Sequence, residues 1–239
     1  MSSAQPLQVV DLCKKYAAKP VLEDVSLTLI EGEIFGLIGL NGVGKTTLIK
    51  NILDLTRPDK GEIKLFDKSS TDAQARRNIS YLPEKFQPSR YLRGMEYLSL
   101  SLSYFGKKLD LEQARQTAIE LDLDPAALDK KVGSYSKGMG QKLGLIGAFM
   151  IDAPFLILDE PMSGLDPRAR IMLKKKLLDY KAKGKTIFFS SHILSDIDEI
   201  CDRIGIINNS KLIFLGTPDS FKKSYPTDSL EKSFLASIS

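Results

Sequence analysis

Residues 34–53 read IFGLIGLNGVGKTTLIKNIL. The first five are almost wholly apolar, as in a strand buried on both faces of a parallel sheet. Glycines follow at Gly39, Gly42 and Gly44, and then Lys45-Thr46-Thr47 leads into a helix-forming run. Gly39–Thr46 fits G-x-x-x-x-G-K-[ST], in which glycines let the backbone turn its N–H groups inward around a phosphate. The helix that follows brings free amides and the positive end of its dipole to the same anion. Lys45 is expected to reach the β- and γ-phosphates, and the Thr46 hydroxyl to hold Mg²⁺.

Outward from this stretch, the first third of the chain predicts strands at 7–12, 25–30, 34–38 and 62–66, and a helix over 44–55. The middle third turns helical, with helices expected at 94–104, 111–121 and 136–151. After that the pattern alternates: strand 155–159, helix 167–183, strand 186–190, helix 193–201, and a hairpin of 204–207 with 211–215 around Asn208-Asn209-Ser210. Strands alternating with helices imply an α/β fold with a parallel sheet core. The expectation is a domain over 1–219, with a helical subdomain inserted over about 84–151. An N-terminal antiparallel β subdomain precedes that insertion, and 220–239 is expected to be a short tail.

A second chemical element is FLILDE, residues 155–160. A buried strand ending in two carboxylates places them where parallel sheets hold ligands. Asp159 is expected at Mg²⁺ and Glu160 as the general base for an attacking water.

With these residues on the page, the chain resembles the nucleotide-binding domains of ABC transporters, which have the P-loop NTPase fold. Four further segments carry the likeness. Tyr135-Ser136-Lys137-Gly138-Met139 is similar to the family signature, Ser163-Gly164-Leu165-Asp166 to the D-loop, and Ser190-Ser191-His192 to the strand end with the switch histidine. Tyr16 sits where an aromatic residue stacks on adenine, although a plain strand-end tyrosine is the alternative. The resemblance implies that Asn41, Gly42, Gly44, Lys45, Thr46, Thr47 and Asp166 bind ATP. It also implies that Ser136 and Gly138 reach, in trans, the ATP held by a second copy. Lys45 and His192 join Glu160 as catalytic candidates, with His192 at the γ-phosphate and the attacking water.

Two departures from the family pattern matter. Glu84 stands where most members carry glutamine, and as a carboxylate it can still ligate Mg²⁺; Gln87, three residues on, is the alternative. In the signature, Lys137 and Met139 replace glycine and glutamine, while Ser136 and Gly138 are kept. This form resembles the exporter branch that moves drugs, polysaccharides, lipids or small ions.

Composition narrows the classes. The 239 residues carry a net charge of only +4, and clusters such as Lys174-Lys175-Lys176 read as solvated helix faces, so no nucleic-acid partner is expected. Two distant cysteines, Cys13 and Cys201, suggest neither a disulfide nor a zinc site. No apolar run reaches the ~20 residues of a membrane helix. The expectation is therefore a cytoplasmic ATPase with ATP and Mg²⁺ as cofactors. It would be held on the inner face of the cell membrane by a separate permease subunit and paired with a second copy of itself. A soluble ABC-type ATPase in a non-transport assembly complex is the alternative. A GTPase is disfavoured, because no asparagine is followed by lysine to begin N-K-x-D.

Overall fold

The computed structural model describes residues 5–225, 227 and 229–238. Its central sheet is built from β3 (Ile34–Ile38), β6 (Ile79–Leu82), β7 (Phe155–Asp159), β8 (Thr186–Ser191), β9 (Arg203–Asn208) and β10 (Lys211–Gly216), in the order β10-β9-β3-β8-β7-β6. All neighbours run parallel except β10, which returns on β9 through a turn with Asn209 and Ser210 at positive φ (47° and 67°).

Period-two alternation decides which side chain meets which layer. Ile34, Ile38, Leu156, Leu158, Ile187 and Phe189 face one core with the helices; Phe35, Leu37, Phe155, Ile157 and Phe188 face the other. Both faces are buried, which is why these strands read as continuous apolar runs. The second core is closed by α1 (Lys45–Ile52) and by an antiparallel sheet of order β2-β1-β4-β5, made of β1 (Gln8–Tyr16), β2 (Lys19–Thr28), β4 (Lys60–Leu65) and β5 (Lys68–Ser69). β1 and β2 are longer than the apolar pattern suggests. Residues 14–16 stay in the ladder through pairing with β2, Cys13 pairs with Lys60 of β4, and Lys15 N–H donates to the Asp59 carboxylate at 2.7 Å.

The first core is covered by α3 (Gly94–Ser103), α4 (Leu111–Glu120), α5 (Lys137–Met150), α6 (Pro167–Ala182) and α7 (Leu194–Ile200), while a single turn, α2 (Ala73–Arg76), precedes β6. Each of α4, α5 and α6 starts on a capping side chain: Asp110, Ser136 and Asp166 accept first-turn backbone N–H groups. Two 3-10 turns, Pro125–Asp129 and Val132–Ser134, join α4 to α5. Helices α3, α4 and α5 fall in the expected 84–151 segment.

The segment after 219, expected as a short tail, is largely helical among its described residues. It forms α8 (Pro218–Lys223), which the boundary at 219/220 would cut, and α9 (Leu230–Ile238). Phe221, Leu230 and Phe234 are buried in the first core, and α9 packs on α7 and α8. The turn is set by aromatic packing, with Phe221 between Phe214 and Tyr225 at ring-centroid distances of 4.7 and 5.2 Å.

Phe234→Ala is expected to cost about 3 kcal/mol, which lowers the thermal midpoint of a chain this size by roughly 6–12 °C. A tail hanging free would leave the melting curve unchanged.

Candidate functional site

Strand β8 lies between β3 and β7, so three carboxyl-terminal strand ends open at one place. From β3 comes the glycine loop. Gly44 holds φ 121°, and a Cβ there would stand 2.7 Å from the Val21 carbonyl oxygen, so only glycine fits. A Cβ on Gly39 would meet the Ile207 carbonyl oxygen at 2.8 Å. Helix α1 starts on Gly44 with no side-chain cap, which leaves its first-turn amides for an anion. The loop rims a pocket of about 350 Å³ lined by Asn41, Gly42, Gly44, Lys45, Thr46, Thr47, Glu84, Lys85 and Glu160.

Charge is concentrated at the base of this pocket. Lys45 Nζ is buried, donates to the Gly39 carbonyl at 2.7 Å, and stands 3.2 Å from Glu160 Oε1 in an ionic contact without hydrogen-bond alignment. The other carboxylate oxygen, Oε2, is 2.8 Å from His192 Nδ1; a carboxylate only accepts, so Nδ1 carries the proton of that bond. Glu160 sits at φ 51°, a left-handed conformation uncommon for a side-chain-bearing residue, directly after β7.

Asp159 is buried beside it. Ser190 Oγ donates to Asp159 Oδ1 at 2.6 Å and accepts from Glu160 N–H at 3.0 Å, so one hydroxyl from β8 orients both acids. Asp159 Oδ2 is fully enclosed and has no hydrogen-bond partner among the described residues. Burial raises the Asp159 carboxyl above the ordinary range. The Ser190 and Thr46 hydroxyls pull it back, and the Glu160 and Glu84 charges push it further up.

The other expected residues lie elsewhere in the chain. Tyr16 is exposed at the end of β1 with the Lys14 ammonium 5.5 Å from its ring centre, outside the pocket lining. Ser136 borders a larger cleft of about 880 Å³ between residues 84–91 and the start of α5. This cleft exceeds the phosphate-loop pocket in size, but the glycine loop and Lys45 line the smaller one. Gly138 packs against Gly164, where a Cβ would come 3.1 Å from the carbonyl oxygen. Asp166 caps α6, accepting from Ala169 N–H at 3.0 Å; that bond, with Lys142 nearby, lowers its pKa. Two residues have a place here to which the sequence alone assigns no role. Ser190 is two residues ahead of His192 on the same strand, and only the register of β7 on β8 puts it beside Asp159. Lys85 follows Glu84 and joins it at the pocket rim.

The family model described as ABC transporter matches residues 22–163. The chain belongs to this family. Among its relatives is an uncharacterized ABC transporter ATP-binding protein from Nostoc sp., 41% identical over 212 residues, or 86% of this chain and 62% of the relative. A Synechocystis sp. protein of the same description is 40% identical, matching 82% of this chain and 56% of the relative. The chain thus spans about three-fifths of the length of those two relatives. The Nod factor export ATP-binding protein I of Burkholderia lata is 35% identical, matching 92% of this chain and 73% of its own. A solved ATP-binding subunit of an ABC transporter superposes with a TM-score of 0.87 at 34% identity, covering 96% of this chain and 98% of the other. A bacterial ABC transporter cassette solved as a dimer has the same fold, with a TM-score of 0.80 at 20% identity over 88% of this chain and 98% of that one. This ABC cassette therefore carries the family's ATP-binding domain.

A raised carboxyl pKa in the fold gives stability below the unfolded value that is lost as pH rises through the folded one. Asp159→Asn is therefore expected to raise the thermal midpoint at pH 7, without nucleotide and in chelator. The gain should vanish as pH falls toward 4; thermal melts across pH test both arms.

Proposed function

We propose that this ABC cassette binds and hydrolyses ATP, with Glu160 as the base that orients the attacking water. The observation that carries this is the Glu160 carboxylate held between Lys45 Nζ at 3.2 Å and His192 Nδ1 at 2.8 Å, beside the pocket of the glycine loop. The loop amides and α1 receive the β- and γ-phosphates, and Asn41, Gly42, Gly44 and Thr47 line their path. As the phosphates enter, Lys45 turns from Glu160 toward them, which leaves the carboxylate free to accept from water. His192 keeps Glu160 aimed and faces the γ-phosphate. Lys45 stabilises charge that develops on the transferred group.

The donor set also suits Mg²⁺. Thr46 supplies a hydroxyl, Asp159 a buried carboxylate oxygen with no other partner, and Glu84 a further carboxylate at the rim, all hard oxygen ligands. When bound, the ion would neutralise charge on the phosphates.

Ser136 and Gly138, at the amino end of α5, are assigned to the ATP of a second copy, with Asp166 at the same junction. The dimeric form in which one structural relative was solved supports this pairing. Tyr16 is assigned to the adenine. The chain further serves as the energy-supplying subunit of a separate membrane permease, peripheral on the cytoplasmic side. Among the described residues no helix is long and apolar enough to cross a membrane, and the name of the Burkholderia relative refers to export. The permease contact is placed on 84–97. Tyr91, 88% exposed, and Arg90 are its leading residues, since the Arg93 guanidinium is already engaged with the Asp129 carbonyl.

Glu160→Gln is expected to bind ATP normally, to lower turnover by on the order of 10²–10⁴-fold and to accumulate as an ATP-bound dimer. Ordinary steady-state hydrolysis by this variant would remove Glu160 from the role. Lys45→Ala should lose about tenfold to a hundredfold in ATP affinity, as for one or two charged hydrogen bonds; titration with a fluorescent ATP analogue reads this directly. Co-purification of a membrane protein supports the permease reading, and a purely soluble complex supports the assembly alternative.

A further inference from the structure

Lys142 is a lysine only 8% exposed, and a buried ammonium persists only where acceptors surround it. Its Nζ donates to the Asp122 carbonyl at 2.7 Å and to Asp122 Oδ2 at 3.0 Å, and lies 3.6 Å from Asp166 Oδ2. Asp122 lies two residues past the end of α4, after the C-cap Leu121, in a left-handed conformation with φ 58°, and its second oxygen takes Arg168 Nε at 3.1 Å. Asp166 closes the loop that begins at Glu160. One ammonium therefore joins the end of α4, helix α5 and the loop behind the proposed base.

The same face of α5 touches this loop at two further points. Gln141 Nε2 donates to the carbonyl of Pro161, the residue after Glu160, at 3.2 Å, and Gly138 abuts the Gly164 carbonyl. Within the loop, backbone bonds of 3.0 Å from Ser163 N to Glu160 O and 3.3 Å from Leu165 N to Met162 O keep it folded on itself. The loop thus rides on α5, and α5 is tied through Lys142 to α4. A shift of α4 relative to the sheet pulls on the buried Lys142 ammonium through Asp122, and through Lys142 on α5 and on Asp166, whose own carboxylate is 56% exposed.

We infer that Lys142 is a positioning residue that couples the place of the inserted helices to the setting of the loop Glu160–Asp166, and through it to Glu160. This rests on the reading of Glu160 as the base. The test uses the full chain with Lys142→Met, which keeps the stem and removes the charge, together with Lys142→Arg and Asp122→Asn. Steady-state hydrolysis of MgATP and backbone amide exchange without nucleotide are both measured. Lys142→Met is expected to lower kcat about tenfold, as small misplacements of a catalytic group do, with KM within twofold. The amides of Ser163 and Leu165 should exchange about tenfold faster, while those of β3 and β7 keep their protection. Lys142→Arg should restore both readouts, and Asp122→Asn, at the less buried end of the pair, should reproduce the loss. Unchanged kcat and unchanged loop exchange in Lys142→Met overturn the inference, as does a fall in kcat with the loop still protected. If Glu160→Gln proves as active as the parent chain, the reading of the base fails on its own, and the exchange data still decide whether Lys142 holds the loop.

Discussion

Everything at the site depends on the parallel register that seats β8 between β3 and β7. Leu37 pairs with Ser190, and Ser190 pairs with Asp159. That register brings the glycine loop, the acidic pair and His192 to one edge of the sheet. A slip of one residue would turn Ser190 to the opposite face and leave Asp159 and the Glu160 amide without their shared hydroxyl. The apolar bulk of β3, β7 and β8, buried in two cores at once, is what prevents such a slip.

The site is assembled against the grain of folding stability. Asp159 carries a charge that burial opposes, one of its oxygens is orphaned, and Glu160 occupies a backbone conformation most side chains avoid. Lys45 offsets part of this by standing beside Glu160. The arrangement makes sense if these groups are satisfied by phosphate and a hard cation rather than by one another, a division between stability and function that ligand sites commonly show.

The inserted helices are not an independent appendage. Leu98, Leu102, Ala114, Ala118 and Leu145 share one core with Ile38 and Leu158 of the sheet, and the Lys142 contacts bind the end of α4 to the loop after Glu160. A partner that grips the exposed Arg90–Tyr91 corner would move elements that already touch the proposed chemistry.

Much of this was legible as local pattern. The apolar runs of β3 and β7, the glycines and Lys45-Thr46, and the Asp159-Glu160 pair are all set by neighbours a few residues away, where period and side-chain chemistry speak directly. The polar ends of β1 and β2 were missed, because pairing with a neighbouring strand, rather than apolar alternation, holds them extended. The helices α8 and α9 were missed because a short amphipathic segment becomes ordered only when a distant surface, here around α7, buries Phe221 and Phe234. Which hydroxyl orients the acids, where Lys45 rests, and what satisfies the ammonium of Lys142 are decided in the tertiary structure. Each joins groups separated by 20 to 115 residues, and no local period encodes which of them will meet.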